Sequence, residues 1–208
     1  KTKFSFKKEE RYRLYVSFFC IFVYICIYKF FSMKKIAQYS LVLLAFCSSI
    51  ACYKEKEIYN RSVETEKYGK MLLGRQTKSQ LRQEPFNSWF DEEYNSYEYD
   101  PQVLKELKKN NLNTCHITVF FGTWCGDTHR ELPRLIKVLD AAKFPEEKLT
   151  LIAVNRKIET PNGEDVPYNI RRVPTIIVKK YGKEAGRIIE MTQSGSIETD
   201  LLNIIKKK

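Results

Sequence analysis

Phe120-Phe121-Gly122-Thr123-Trp124-Cys125-Gly126-Asp127-Thr128 joins two different apolar patterns. Before it, His116 to Phe121 is β-branched and aromatic, which predicts a buried central strand ending at Gly122. After it, Leu132, Leu135, Ile136 and Leu139 recur at helical spacing as far as Ala142. Cys125 therefore stands where a strand ends and a helix begins. Unpaired backbone N–H groups and the positive end of the helix dipole favour a thiolate at such a place.

The pattern extends in both directions. Upstream, Asp100-Pro101 reads as an N-cap followed by proline at the first helical position. Val103, Leu104 and Leu107 carry that helix to Asn110-Asn111. Downstream, Leu149 to Val154 is a continuous apolar strand. Thr175–Val178 and Arg187–Glu190 flank Tyr181-Gly182-Lys183 as a hairpin, and Ile197–Ile205 closes the chain as a helix. The order is β-α-β, then β-β-α. A right-handed crossover makes the first two strands parallel and the hairpin adds antiparallel ones. The fold class is α/β, with a mixed central sheet flanked by helices.

This element order resembles the thioredoxin fold, and two motifs make the resemblance specific. One is Trp124-Cys125-Gly126-Asp127-Thr128, with Pro133 eight residues after Cys125. The other is Tyr168-Asn169-Ile170-Arg171-Arg172-Val173-Pro174-Thr175, whose Pro174 lies 49 residues after Cys125 and which is followed by strand, Gly182 and strand. The resemblance implies that Cys125 is the catalytic nucleophile, supported by Trp124, Gly126, Asp127, Thr128 and His129. It implies that Val173, Pro174 and Thr175 form a substrate groove, with a cis Val173–Pro174 bond facing the cysteine. Two positions depart from the family. Thr128 stands where the second motif cysteine belongs, and Val119 stands where many thioredoxins carry a buried acid. The chain also looks like the thioredoxin-like lipoproteins of bacterial envelopes.

A single cysteine narrows the chemistry. The thiolate is the nucleophile in disulfide exchange. His129, four residues after Cys125, favours it when protonated, and Asp127 opposes it by like charge. Thr128 either donates its hydroxyl to the thiolate or caps the helix in the box Thr128-His129-Arg130-Glu131. Cys115 begins the strand that Cys125 follows, so the two lie roughly 20 Å apart, far beyond the ~7 Å that a disulfide tolerates. Cys115 reads as a buried structural thiol. A mixed disulfide at Cys125 is then resolved by an external thiol reductant or by the client's own second cysteine.

Cys115, His116, Cys125 and His129 match no paired zinc-ligand spacing. No Ser-His-Asp set, Gly-rich phosphate loop or paired carboxylates stand out, so neither metal nor cofactor is expected. Two functions remain open: a monothiol thiol–disulfide oxidoreductase or isomerase acting on disulfide- or thiol-containing proteins, and a binding module that holds client peptides without turnover.

The 208 residues carry a net charge of +11, of which +7 falls in residues 1–53. Basicity concentrated at the N-terminus fits targeting, and no basic stripe interleaved with aromatics points to nucleic acid. Met33-Lys34-Lys35 followed by the uncharged run Ile36–Cys52 has the layout of a secretory signal peptide over 33–52. Residues 1–32 then read as non-native upstream sequence or, alternatively, as a membrane anchor built on the apolar run Leu14–Tyr28. Ser49-Ile50-Ala51-Cys52 resembles a bacterial lipobox, which implies lipidation of Cys52, anchoring at a membrane surface and a place in the cell envelope. The alternative is an ordinary cut near Ala51. Residues 53–99 read as linker and N-terminal extension: 54–75 show no sustained period, Thr77-Lys78-Ser79-Gln80 fits a capping box before Pro85, and Phe86–Phe90 is an apolar cluster expected to pack on the 100–208 domain.

Overall fold

The computed structural model describes residues 59–67 and 69–207. The expectations for 1–52, with the start at Met33 and lipidation at Cys52, fall outside the described residues. The described strands are β1 (Arg61–Thr65), β2 (Gly69–Gln76), β3 (His116–Phe121), β4 (Leu149–Ala153), β5 (Thr175–Lys180) and β6 (Lys183–Ile189). The helices are α1 (Lys78–Leu81), α2 (Asn87–Ser96), α3 (Pro101–Lys109), α4 (Gly126–Ala142) and α5 (Ile197–Lys206). The strands form one mixed sheet in the order β1-β2-β4-β3-β5-β6. β3 runs parallel to β4, with Val119 opposite Leu151, and antiparallel to β5, with Val119 opposite Ile176.

The side chains of β3 divide between two cores, as the pleat requires. Ile117, Val119 and Phe121 join a large cluster filled by Leu132, Leu135 and Ile136 of α4 and by Leu201 and Ile205 of α5. Phe120 points the other way, into a small cluster with Ile152, Val154, Val173 and Ile177. Ile158, Tyr168 and Ile170, from the segment after β4, cover that second cluster together with Trp124 and Cys125.

Four local expectations are corrected. Residues 54–75, read as linker and peripheral structure without sustained period, contain β1 and most of β2, and β2 pairs antiparallel with β4 in the main sheet. The reason it was hard to read is chemical: Gly69 and Gly74, both at positive φ, break the alternation, and β1 is an edge strand whose residues are largely exposed. The box at Thr77–Gln80 does not close. The Thr77 hydroxyl and N–H both donate to Asn60 Oδ1 instead, although Thr77 still precedes the short helix α1. The second hairpin strand begins at Lys183 rather than Arg187, because Tyr181 (φ 52°) and Gly182 (φ 76°) make a two-residue turn. The helix after Cys125 begins at Gly126, so Thr128 lies inside it and does not cap it.

Phe86 and Phe90 pack into the large cluster as their apolar pattern implied, which ties α2 to the sheet. Arg134 of α4 pairs with Glu93 of α2 at 2.6 Å, and Tyr97 donates to Glu198 of α5 at 2.6 Å. Residues after Asn60 are therefore part of the folded body and not an appended tether. Phe90→Ala, at a fully buried position, is expected to cost ~3–5 kcal/mol of stability by denaturant unfolding; a change below ~1 kcal/mol would return α2 to the status of a peripheral appendage.

Candidate functional site

The C-terminal end of β3 delivers the chain to Gly122, and the next three residues are held from several directions. Val154, directly after β4, donates its N–H to Phe121 O at 2.9 Å. The Trp124 indole Nε1 donates to Val154 O at 3.2 Å. The Arg156 guanidinium lies over the Trp124 ring, 5.3 Å from its centroid. Gly122 is required beneath that ring: a Cβ there would sit 2.6 Å from the indole. Thr123 is anchored twice, its Oγ1 accepting from Leu72 N–H of β2 at 3.4 Å and its carbonyl contacting His129 Nε2 at 2.8 Å. The His129 ring stacks on Trp89 of α2, with centroids 4.2 Å apart.

Cys125 is the N-cap residue of α4 and is half-buried. No side chain, the Cys125 thiol included, hydrogen-bonds to the first-turn N–H groups of this helix, which have no intrahelical acceptor. The Cys125 thiol donates to Val173 O at 3.2 Å. The motif cysteine and the Val173–Pro174 segment, 48 residues apart, are thus in direct contact. The Val173–Pro174 bond is cis, as is Glu84–Pro85. Pro174 O accepts from Glu190 N–H at 2.8 Å, and the buried Thr175 hydroxyl donates to Arg172 O at 2.7 Å.

The remaining candidates have other engagements. Asp127 pairs with Arg130 at 3.1 Å. Gly126 is exposed and adds no side chain to the rim. Thr128 is fully buried, and its Oγ1 accepts from Gly122 N–H at 3.4 Å. This corrects the reading of Thr128 as a cap: the side chain braces the turn between β3 and α4. His129 faces Thr123 and Trp89, so it positions the loop. Cys115 is buried and free, and burial pushes its thiol up from the ordinary value.

Several site residues were invisible in the sequence. Trp89 and Leu72 reach the loop from segments more than thirty residues upstream, a distance no local pattern bridges. Ile158 packs on the small cluster with φ of 63°, rare for a β-branched residue. It is held there by Asn155, whose side-chain oxygen accepts from Lys157 and Glu159 N–H. An Asn three residues before Ile158 was the one available hint of a turn.

A strand end, an uncapped helix start, the one half-exposed thiol among the described residues and a facing cis-proline segment define a thioredoxin-type thiol site on a mixed α/β sheet. No family model matches the chain. A curated thioredoxin from Echinococcus granulosus is 31% identical over 91 residues, covering 43% of this chain and 75% of that protein. The chain belongs to the thioredoxin family, whose general chemistry is thiol–disulfide redox exchange. Similar solved structures include Fasciola hepatica thioredoxin, with 22% identity over 50% of this chain and 89% of that one, at a TM-score of 0.33. Another is oxidised mitochondrial thioredoxin 3 of Saccharomyces cerevisiae, with 24% identity over 50% and 90%, at a TM-score of 0.32.

Two outcomes follow from the geometry. In a Trp89→Phe background, where Trp124 is the one tryptophan left of two, Gly122→Ala is expected to shift the emission of Trp124 to the red by displacing the ring toward water. An unchanged spectrum would mean that the ring does not rest on Gly122. Under native conditions Cys125 is expected to be alkylated at least about tenfold faster than Cys115, which reacts fully only on denaturation; mass spectrometry of the two peptides reads the ratio.

Proposed function

We propose that this domain is a monothiol thiol–disulfide oxidoreductase or isomerase in which Cys125 is the nucleophile. The observation that carries this reading is the Cys125–Val173 contact: a half-exposed sulfur at an uncapped helix start, 3.2 Å from the carbonyl of the facing loop. Trp124 and Pro174 wall the groove, and the backbone at Val173 pairs with an extended client by strand addition. The Cys125 thiolate attacks one sulfur of a client disulfide. One S–S bond forms, the client's own bond breaks, and its second sulfur leaves as a thiolate that takes a proton from water. The first-turn N–H groups of α4 stabilise negative charge on the reacting sulfur.

Thr128 provides no second sulfur, so the mixed disulfide is released in one of two ways. The client's other cysteine attacks it, which is isomerisation, or an external small thiol does, which is reduction. The proposal extends to location: a signal peptide over 33–52 is removed, Cys52 carries lipid, and the charged stretch Lys54–Glu57 leads from the membrane surface of a bacterial envelope to the domain. An oxidising envelope supplies client disulfides.

Reduction of a small disulfide and refolding of a scrambled protein, each with and without added small thiol, test the chemistry. Cys125→Ser is expected to fall to the uncatalysed rate in both assays, and wild-type reduction is expected to depend on the added thiol. Equal rates for the two proteins would leave the alternative, a non-catalytic module that holds client peptides in the same groove. Mass spectrometry of the native N-terminus tests the anchor: an unmodified Cys52 refutes it.

A further inference from the structure

The loop that meets Cys125 also walls a groove of about 470 Å³, lined by Asn169, Arg171, Arg172, Thr175, Arg187, Ile189 and Glu190. Only Val173 and Pro174 separate Arg172 from Thr175, so the groove begins within about two residues, roughly 7 Å of chain, of the carbonyl that Cys125 contacts. Its charges are unequal. Arg187 is held by both carboxylate oxygens of Glu184, at 2.6 and 2.7 Å, and also donates to Tyr168 O. That pairing holds the Glu184 carboxyl below its ordinary range. Arg172 pairs with Glu190 at 2.6 Å. Arg171 is exposed and donates from Nε to a neutral acceptor, Asn169 Oδ1, at 3.1 Å. Its terminal nitrogens meet no carboxylate among the described residues. Beside these groups Ile189 leaves 47% of its surface open.

We propose that this groove binds the flank of an extended client peptide and that Arg171 selects a carboxylate side chain, Asp or Glu, within about three residues of the cysteine engaged at Cys125. The claim rests on the thiol-exchange reading above and adds a substrate class to it. The guanidinium fork matches a carboxylate in two parallel hydrogen bonds, which an amide or an ammonium cannot supply. Ile189 supplies apolar contact for the same segment. A basic flank meets an uncompensated cation and is disfavoured. The sulfur chemistry is unchanged: Cys125 gains the client sulfur, and the displaced thiol, carrying one proton from water, is released.

The test uses the full chain in mild detergent and three peptides. Each carries one cysteine as a mixed disulfide with a small neutral thiol, and they differ only in having two Glu, two Gln or two Lys beside it. The readout is the ratio of the rates of thiol release for the Glu and Lys peptides. Wild type is expected to favour Glu by about fivefold at low ionic strength, with the ratio approaching one in 1 M salt. Arg171→Gln is expected to bring it near one, and Arg171→Glu to invert it. Lys105→Glu, an equal charge change on the exposed side of α3, is expected to keep the wild-type ratio. A wild-type ratio of one, or equal responses to Arg171→Glu and Lys105→Glu, would overturn the proposal. Equilibrium binding of serine versions of the peptides to Cys125→Ser separates the two claims. A Glu preference there that Arg171→Glu abolishes supports the groove even if Cys125 turns nothing over. No preference there overturns it even if Cys125 is active.

Discussion

Strand β3 lies between a parallel neighbour and an antiparallel one, and from Ile117 to Phe121 it is shielded on both faces. A slip of one residue would carry Phe120 out of the small cluster and Val119 out of the large one, so the register is held by packing on both sides at once. That constraint determines the site. With β4 parallel, its C-terminal end and Val154 emerge beside Gly122. With β5 antiparallel, its first residue, Thr175, starts at the same end. Three segments, 122–125, 154–158 and 172–175, therefore meet there without any direct sequence relation.

The loop between β3 and α4 depends on the chain that precedes the β-α-β unit. Thr123 is gripped from β2 through Leu72 N–H and from α4 through His129, and His129 is itself backed by Trp89 of α2. A hydrogen bond of this kind contributes about 1 kcal/mol net, and an aromatic stack about 0.5–1.5 kcal/mol beyond its burial. Each is small against the buried apolar area that fixes β3. Together with Thr128, whose Oγ1 accepts from Gly122 N–H, they decide where Trp124 and Cys125 stand.

The elements that sequence pattern exposed were those with one dominant physical cause. β3, β4, α4 and α5 bury continuous or helically spaced apolar residues, and the Asp100 carboxylate caps α3 by accepting from Gln102 and Val103 N–H. β1 and β2 stayed hidden because an exposed edge and two positive-φ glycines leave little periodicity to read. At the site, Cys125 and Val173–Pro174 were legible as motifs. The roles of Thr128 and His129 were not, since a hydroxyl or imidazole reads the same in sequence whichever partner the fold brings. Thr128 found Gly122 N–H, and His129 found Trp89 and Thr123.

The burial of Thr128 bears on what a lone thiol can do. Its hydroxyl is engaged below the helix start and its side chain is closed to solvent, so the position that could have held a second sulfur is filled by bracing. Cys115, the other described cysteine, is sealed in the large core. A mixed disulfide at Cys125 therefore cannot be resolved from within the described domain, and an attacking thiol must reach the sulfur from solvent or along the client. Cys125 meets that requirement by being half-open, with Val173 on one side and Trp124 on the other. In the proposed monothiol reaction, a client that no internal thiol expels stays until an external thiol or its own second cysteine attacks, and the chemistry of the groove wall then becomes part of that proposed turnover.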